Sequence, residues 1–95
     1  MFYYVYVIQS VREGELYRGR TTDLRKRFSQ HNRGSSPSTN RYTPWRPIYY
    51  EACLHRLDAE RRERYLKTSQ GRRLLKRRIK EYLFKSKQFK VLLPG

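Results

Sequence analysis

Carboxylates are scarce in this chain: Asp and Glu together number 8 against 23 Lys and Arg, a formal net charge of +15 over 95 residues. Such a surplus cannot be neutralised internally, and it points to a polyanionic partner, nucleic acid first. Charge alone does not separate DNA from RNA, and a ribosome-associated basic protein fits the same composition. An anionic membrane surface is the weaker reading, because it calls for an amphipathic anchor with exposed Trp, Phe and Leu. Cysteine is almost absent. Cys53 stands alone, which excludes an intrachain disulfide and a Cys-rich zinc site and fits a reducing cytosol. It lies in the apolar run Ile48 to Leu54 and reads as a buried structural thiol rather than a nucleophile. No apolar run approaches the length of about 20 residues that a bilayer demands. The opening FYYVYVI run lacks a basic leader and a small-residue cleavage site, so the expectation is a cytoplasmic protein with no membrane partner. Internal repeats and low-complexity tracts are missing as well.

What is present suits one small domain. A chain of this length buries roughly 60–65% of its unfolded surface, enough for a single core. The hydrophobic fraction is 37%, and 9 Tyr and 4 Phe carry much of it, so large rings close a small core with few residues. Phe2 to Ile8 is an unbroken aromatic and β-branched run and reads as a buried strand, with Tyr4, Tyr6 and Ile8 on one side and Tyr3, Val5 and Val7 on the other. Ser10 to Glu15 is polar and contains Gly14, which predicts a turn into a second, antiparallel strand over Glu15 to Arg18. The stretch Arg18 to Thr21 then reads as a turn into a helix.

That helix, about Asp23 to His31, is the organising segment. Thr22 and Asp23 are both competent N-caps, and Asn32 and Gly34 supply the stop. Leu24, Arg27, Phe28 and His31 fall at i, i+3, i+4 and i+7, one face of the helix. Two of those four are apolar, as a core stripe requires; the other two are an arginine and a histidine. Arg33 to Arg46 is a loop by composition, basic and carrying Tyr42 and Trp45. Trp45 either stacks on a base or packs down to close the core edge. Ile48 to Leu54 reads as a third strand. Asp58 caps a second helix, Ala59 to about Lys67, on which Ala59, Glu63 and Leu66 share a face. After a break at Thr68 to Gly71, a third helix is predicted over Arg72 to Phe84, with Leu75, Ile79, Tyr82 and Leu83 as its apolar stripe. The domain is expected to span 1–84, and 85–95 is a tail that adds an edge strand or stays loose. The whole is an α/β (α+β) fold: a three-stranded antiparallel sheet flanked by helices, in the order ββαβαα.

A charged side chain on an inward helix face costs free energy unless it is paired or reaches a wet cleft. Arg27, His31 and Glu63 are three such groups. The residues alone leave two readings open: a buried salt bridge of Glu63 with Arg27 or Arg62, or an active site acting on a polyanion.

The motifs resemble the GIY-YIG nuclease family, in particular its small single-domain members, which are related to the corresponding domain of the bacterial excision-repair incision subunit. Tyr4-Val5-Tyr6 stands as the first tripeptide and Tyr17-Arg18-Gly19 as the second, with Tyr4 in place of glycine and Arg18 in place of isoleucine. Thr21, Asp23-Leu24, Arg27 and His31-Asn32 follow in the family's order, then Thr43-Pro44-Trp45, Tyr49-Tyr50-Glu51, Ala59, Arg62-Glu63 and Leu66-Lys67. No match is found for the late asparagine of many members. The resemblance implies a metal-dependent endonuclease that hydrolyses phosphodiester bonds in DNA, in repair or a related process. It implies that Glu63 holds a divalent cation, Mg²⁺ or Mn²⁺, and that Arg27 neutralises charge on the scissile phosphate. Tyr6 and Tyr17 would position or deprotonate the attacking water, with His31 assisting. The general base is left open between them. Phosphate contacts with little sequence information would come from Arg20 and from the loop and third helix, through Arg41, Trp45, Arg72, Arg73, Lys76 and Arg77. DNA is favoured over RNA. The competing reading is a catalytically silent nucleic-acid-binding module.

Overall fold

A computed structural model of the chain describes residues 1–92. Two compact units are distinguished, Met1–Arg64 and Tyr65 onward. In the first, β1 (Tyr3–Ser10) is the central strand of an antiparallel sheet, with β2 (Leu16–Thr21) on one side and β3 (Trp45–Cys53) on the other. Its central place explains the composition of β1. Val5 to Ser10 are all buried, because a strand paired on both edges and covered on both faces has no room for an exposed residue.

The register is fixed by the β1–β2 ladder, which pairs Tyr6 with Gly19 and Ile8 with Tyr17. Tyr6 and Tyr17 therefore share a face as diagonal neighbours, their ring centroids 6.5 Å apart. The expected turn at Arg18 to Thr21 is not a turn: β2 runs on to Thr21. Gly19 is there for a different reason. A Cβ at Gly19 would come within 2.4 Å of the Tyr6 hydroxyl oxygen, so the glycine lets the phenol lie flat across the neighbouring strand.

Helix α1 (Leu24–Asn32) follows Asp23, whose carboxylate accepts from the Lys26 backbone N–H at 3.1 Å, as a good N-cap does. Past its end, Gly34 has φ +73°, the left-handed conformation that glycine adopts without penalty. Asn32 does more than stop the helix. Its carboxamide accepts from the Trp45 N–H at 2.6 Å and donates to the Trp45 carbonyl at 3.0 Å, tying the end of α1 to the start of β3. The core on this face gathers Tyr6, Ile8 and Trp45, with Tyr17, Leu24, Phe28 and Tyr42 packed against them. Trp45 begins β3 instead of lying in the loop, and a 3-10 turn (Asn40–Tyr42) precedes it. Cys53, at the end of β3, is only partly buried.

Helix α2 (Arg56–Leu66) starts earlier than expected, and Asp58 sits inside its first turn rather than capping it. His55 takes the capping place: its Nδ1 accepts from the Leu57 N–H at 3.1 Å. Ala59 and Leu66 are fully buried, as their shared face requires.

The second unit replaces the single predicted third helix with two. Helix α3 (Ser69–Arg78) is capped by Thr68, whose hydroxyl accepts from the Gly71 N–H at 3.1 Å. Helix α4 (Lys80–Leu92) begins after an interruption at Ile79. It runs through the expected boundary at Phe84, so residues 85–92 are neither strand nor loose tail. Residues 93–95 of that tail lie outside the described residues.

Candidate active site

The inward face of α1 brings Arg27 and His31 onto the tyrosines of the hairpin. Tyr6 is 1% exposed and His31 0%. The Tyr6 hydroxyl lies 2.7 Å from His31 Nε2 and accepts from Arg27 Nε at 3.3 Å. Both rings stack edge-on, 5.7 Å between centroids, and Phe28 packs on Tyr6 at 5.4 Å. Tyr17 meets His31 at 5.1 Å and is half-buried; no described residue hydrogen-bonds its hydroxyl. His31 Nδ1 is 2.8 Å from the Thr39 hydroxyl.

Burial sets the electrostatics of this pair. Desolvation pushes the Tyr6 phenol up to about 12, although the hydrogen bond and charge of Arg27 pull the other way; Tyr17 and Glu63 add smaller raising influences. Desolvation, followed by the positive charge of Arg27, lowers His31 to about 4. At neutral pH the phenol is protonated and the imidazole uncharged.

Arg27 is held at every nitrogen. Besides Tyr6, its guanidinium donates from Nη1 to Gln30 Oε1 at 3.0 Å and from Nη2 to Ser36 Oγ at 3.4 Å. A guanidinium carries five N–H groups. Two therefore remain, among the described residues, on a cation already fixed in orientation.

Glu63 is engaged from β2. It accepts from Arg20 Nε at 2.9 Å, and Arg20 also lies 3.6 Å from Glu60. Arg62 pairs with Glu51 at 3.0 Å. Glu63 thus has a salt-bridge partner that neither reading of the sequence named, Arg20, one strand away from Tyr6 and next to Gly19. No cluster of three or more His, Cys, Asp or Glu able to hold a metal occurs among the described residues. A lone hard carboxylate suits an ion that keeps most of its waters, as Mg²⁺ does, and not a closed zinc site.

The nucleic-acid candidates divide. Trp45 is 5% exposed and its indole N–H donates to the Thr39 carbonyl at 2.8 Å, so the ring belongs to the core and is not placed to stack on a base. Arg41 is exposed, its guanidinium 5.8 Å from the Tyr42 ring centroid. Arg72, Arg73, Lys76 and Arg77 are all exposed on α3, and their spacing puts them on adjoining rows of one helix side. They lie in the second unit.

Sequence reasoning passed over Gln30, Ser36 and Thr39, which hold Arg27 and His31 in place. Ser36 and Thr39 belong to a loop with no periodicity, and their only signal was a run of hydroxyl residues after the helix stop.

A family profile described as GIY-YIG catalytic domain matches residues 2–78. A UPF0213 protein of Desulfotalea psychrophila is 38% identical over 69 residues, covering 68% of this chain and 60% of that protein. A UPF0213 protein of Streptococcus pyogenes serotype M3 is 45% identical over 49 residues, covering 50% of this chain and 52% of its own length. The matches thus cover little more than half the length of these relatives. No solved structure gives a significant match.

Proposed function

The chain belongs to the GIY-YIG family, whose members are endonucleases that generally use divalent metal ions, and from that premise we propose that it cleaves phosphodiester bonds in DNA with Mg²⁺ or Mn²⁺. The observation that carries this reading is Arg27: a guanidinium oriented by Tyr6, Gln30 and Ser36, with two N–H groups left for phosphate oxygens. A pre-oriented cation costs no reorganisation as charge grows on the scissile phosphate.

Glu63 would hold the cation, which when bound supplies Lewis-acid charge that acidifies water and offsets the phosphate. The remaining work falls to the chain. Tyr17, half-buried and with no hydrogen bond to its hydroxyl among the described residues, is the phenol left to touch an attacking water and orient it. Tyr6 acts through Arg27, because ionising a phenol at about 12 at pH 7 would cost about 7 kcal/mol. A phosphate seated on Arg27 offsets the charge that depresses His31, so the imidazole gains basicity as substrate binds.

Binding energy comes from the +15 charge, through Arg41 and the α3 residues Arg72, Arg73, Lys76 and Arg77. Such contacts read the backbone, so sequence specificity is low. The setting is DNA repair or a related process within the cytoplasm.

The test is incubation of purified protein with branched, single-stranded and duplex DNA plus Mg²⁺ or Mn²⁺, beside Glu63→Ala. Metal-dependent cutting that the folded, DNA-binding variant loses supports the nuclease and the place of Glu63 in it. Binding without cutting on every substrate overturns it in favour of a silent binding module. Equal cutting by both proteins overturns the assignment of Glu63.

A further inference from the structure

The hydrogen bonds at the buried end of the site run in one direction only. Arg27 is an obligate donor, so its Nε–H points at the Tyr6 oxygen. The phenol proton must then go to its other partner, His31 Nε2, at 2.7 Å. An Nε2 that accepts leaves a neutral imidazole with its proton on Nδ1, 2.8 Å from the Thr39 hydroxyl oxygen. Thr39, accepting there, sends its own proton to the Ser36 carbonyl at 3.4 Å, an obligate acceptor. A donor-only group stands at one end and an acceptor-only group at the other. Every proton between them is placed by elimination.

Thr39 is 0% exposed, and its backbone carbonyl receives the Trp45 indole N–H at 2.8 Å. The side chain is therefore anchored from the core rather than from the surface. The opposite histidine tautomer would face an Nε2–H against a phenol already accepting from Arg27, leaving the buried Tyr6 proton without a protein acceptor among the described residues.

We propose that Thr39 is a positioning residue: by accepting from His31 Nδ1–H it fixes the imidazole as the Nδ1–H tautomer, which holds the Tyr6 phenol as donor to His31 and acceptor from Arg27. Thr39, 12 residues further along the chain than Arg27, thereby steadies from the far side the phenol oxygen on which the Arg27 Nε–H rests. The kinetic consequence rests on the nuclease reading above; the tautomer does not.

The experiment is ¹⁵N NMR of the His31 ring at pH 7 in the wild type, Thr39→Val and Thr39→Ser, with cleavage kinetics on the DNA that the wild type cuts. The wild type should show a protonated Nδ1 and a bare, hydrogen-bond-accepting Nε2. Thr39→Val should shift toward the Nε2–H form and lose about 10²-fold in kcat with little change in KM, and Thr39→Ser should restore both. An Nε2–H ring in the wild type overturns the proposal, and it needs no variant to fold. So does a Thr39→Val protein that keeps the Nδ1–H signature. Wild-type protein with the expected tautomer but no cleavage of any DNA leaves the positioning of His31 standing and overturns the nuclease reading instead.

Discussion

The Tyr6 hydroxyl and His31 Nε2 lie 2.7 Å apart in a hydrogen bond, and both rings are shut away from solvent. Two residues 25 positions apart, one on β1 and one on α1, thereby hold the helix to the sheet through a polar bond inside an aromatic core. Tyr6→Phe removes the hydroxyl and leaves a buried imidazole nitrogen and the Arg27 Nε–H without this partner. The expected loss is about 1–3 kcal/mol of stability, read from denaturant midpoints at unchanged m-value, together with a fall in kcat.

The same pair predicts stability against pH. His31 is uncharged in the folded chain down to about 4 but takes a proton near 6.5 when unfolded, so the unfolded state binds more protons between those values. Stability should therefore fall by about 3 kcal/mol as pH drops from 6.5 to 4, and level off below with respect to this residue. Tyr6 works at the other end. Its proton is held to about 12 in the fold and released near 10.0 when unfolded, so stability is lost as pH rises across that window. Arg27, Tyr17 and Thr39 face the pair from α1, β2 and the loop, and none introduces a carboxylate beside His31 to reverse the sign. Urea titrations of wild type and His31→Gln across pH 4 to 7 measure the acid arm; a flat difference between them contradicts it.

Gly19→Ala should be costly although alanine is a better strand residue. The added methyl would lie 2.4 Å from the Tyr6 oxygen and 2.5 Å from its Cζ, both in a packed core. A loss of about 1–3 kcal/mol is expected, with cleavage reduced because the phenol and Arg27 shift together. Combined with Tyr6→Phe the losses should be less than additive, since both act on one contact.

Arg20 would compete for Glu63 with the cation proposed to bind there. Removing it by Arg20→Ala frees the carboxylate from its 2.9 Å partner, and Mn²⁺ affinity measured by calorimetry should rise. The pair is partly exposed, which limits the gain to a few-fold. Glu63→Gln should abolish the heat of binding. If Arg20→Ala weakens Mn²⁺ binding, the arginine helps to build the site and does not oppose it.

Much of this was legible in the sequence because the helical repeat exposes misfits. Arg27 and His31 stood out as charges in an apolar stripe with Leu24 and Phe28, and Glu63 did so between Ala59 and Leu66. The structure gives each of the three a polar partner from another element: Tyr6 for Arg27 and His31, and Arg20 for Glu63. The partner of Glu63 was not legible, because pairing across elements depends on register, and the turn that sets the β1–β2 register carries no readable type. Gly19 reads as a turn residue in the sequence for the same reason. A glycine that makes room for a ring on the next strand looks, in one dimension, like a glycine that bends the chain. Thr39 and Ser36 were hidden because loop hydrogen bonds have no period. The split of the last helical stretch at Ile79 went unseen since an apolar stripe continues across it.

The Asn32 clamp on Trp45 also bears on how copies of this protein behave in a crowded solution. β3 is an outer strand, and the two backbone groups that Asn32 occupies are ones that Trp45 does not give to β1. Two residues on, Pro47 has no N–H to offer. The chain's own side chain and an imino acid thus blunt the opening positions of an edge on which another molecule's strand would seed itself. For a protein whose outer strand carries exposed Tyr50, that protection against edge-to-edge aggregation is built into the residue that ends its first helix.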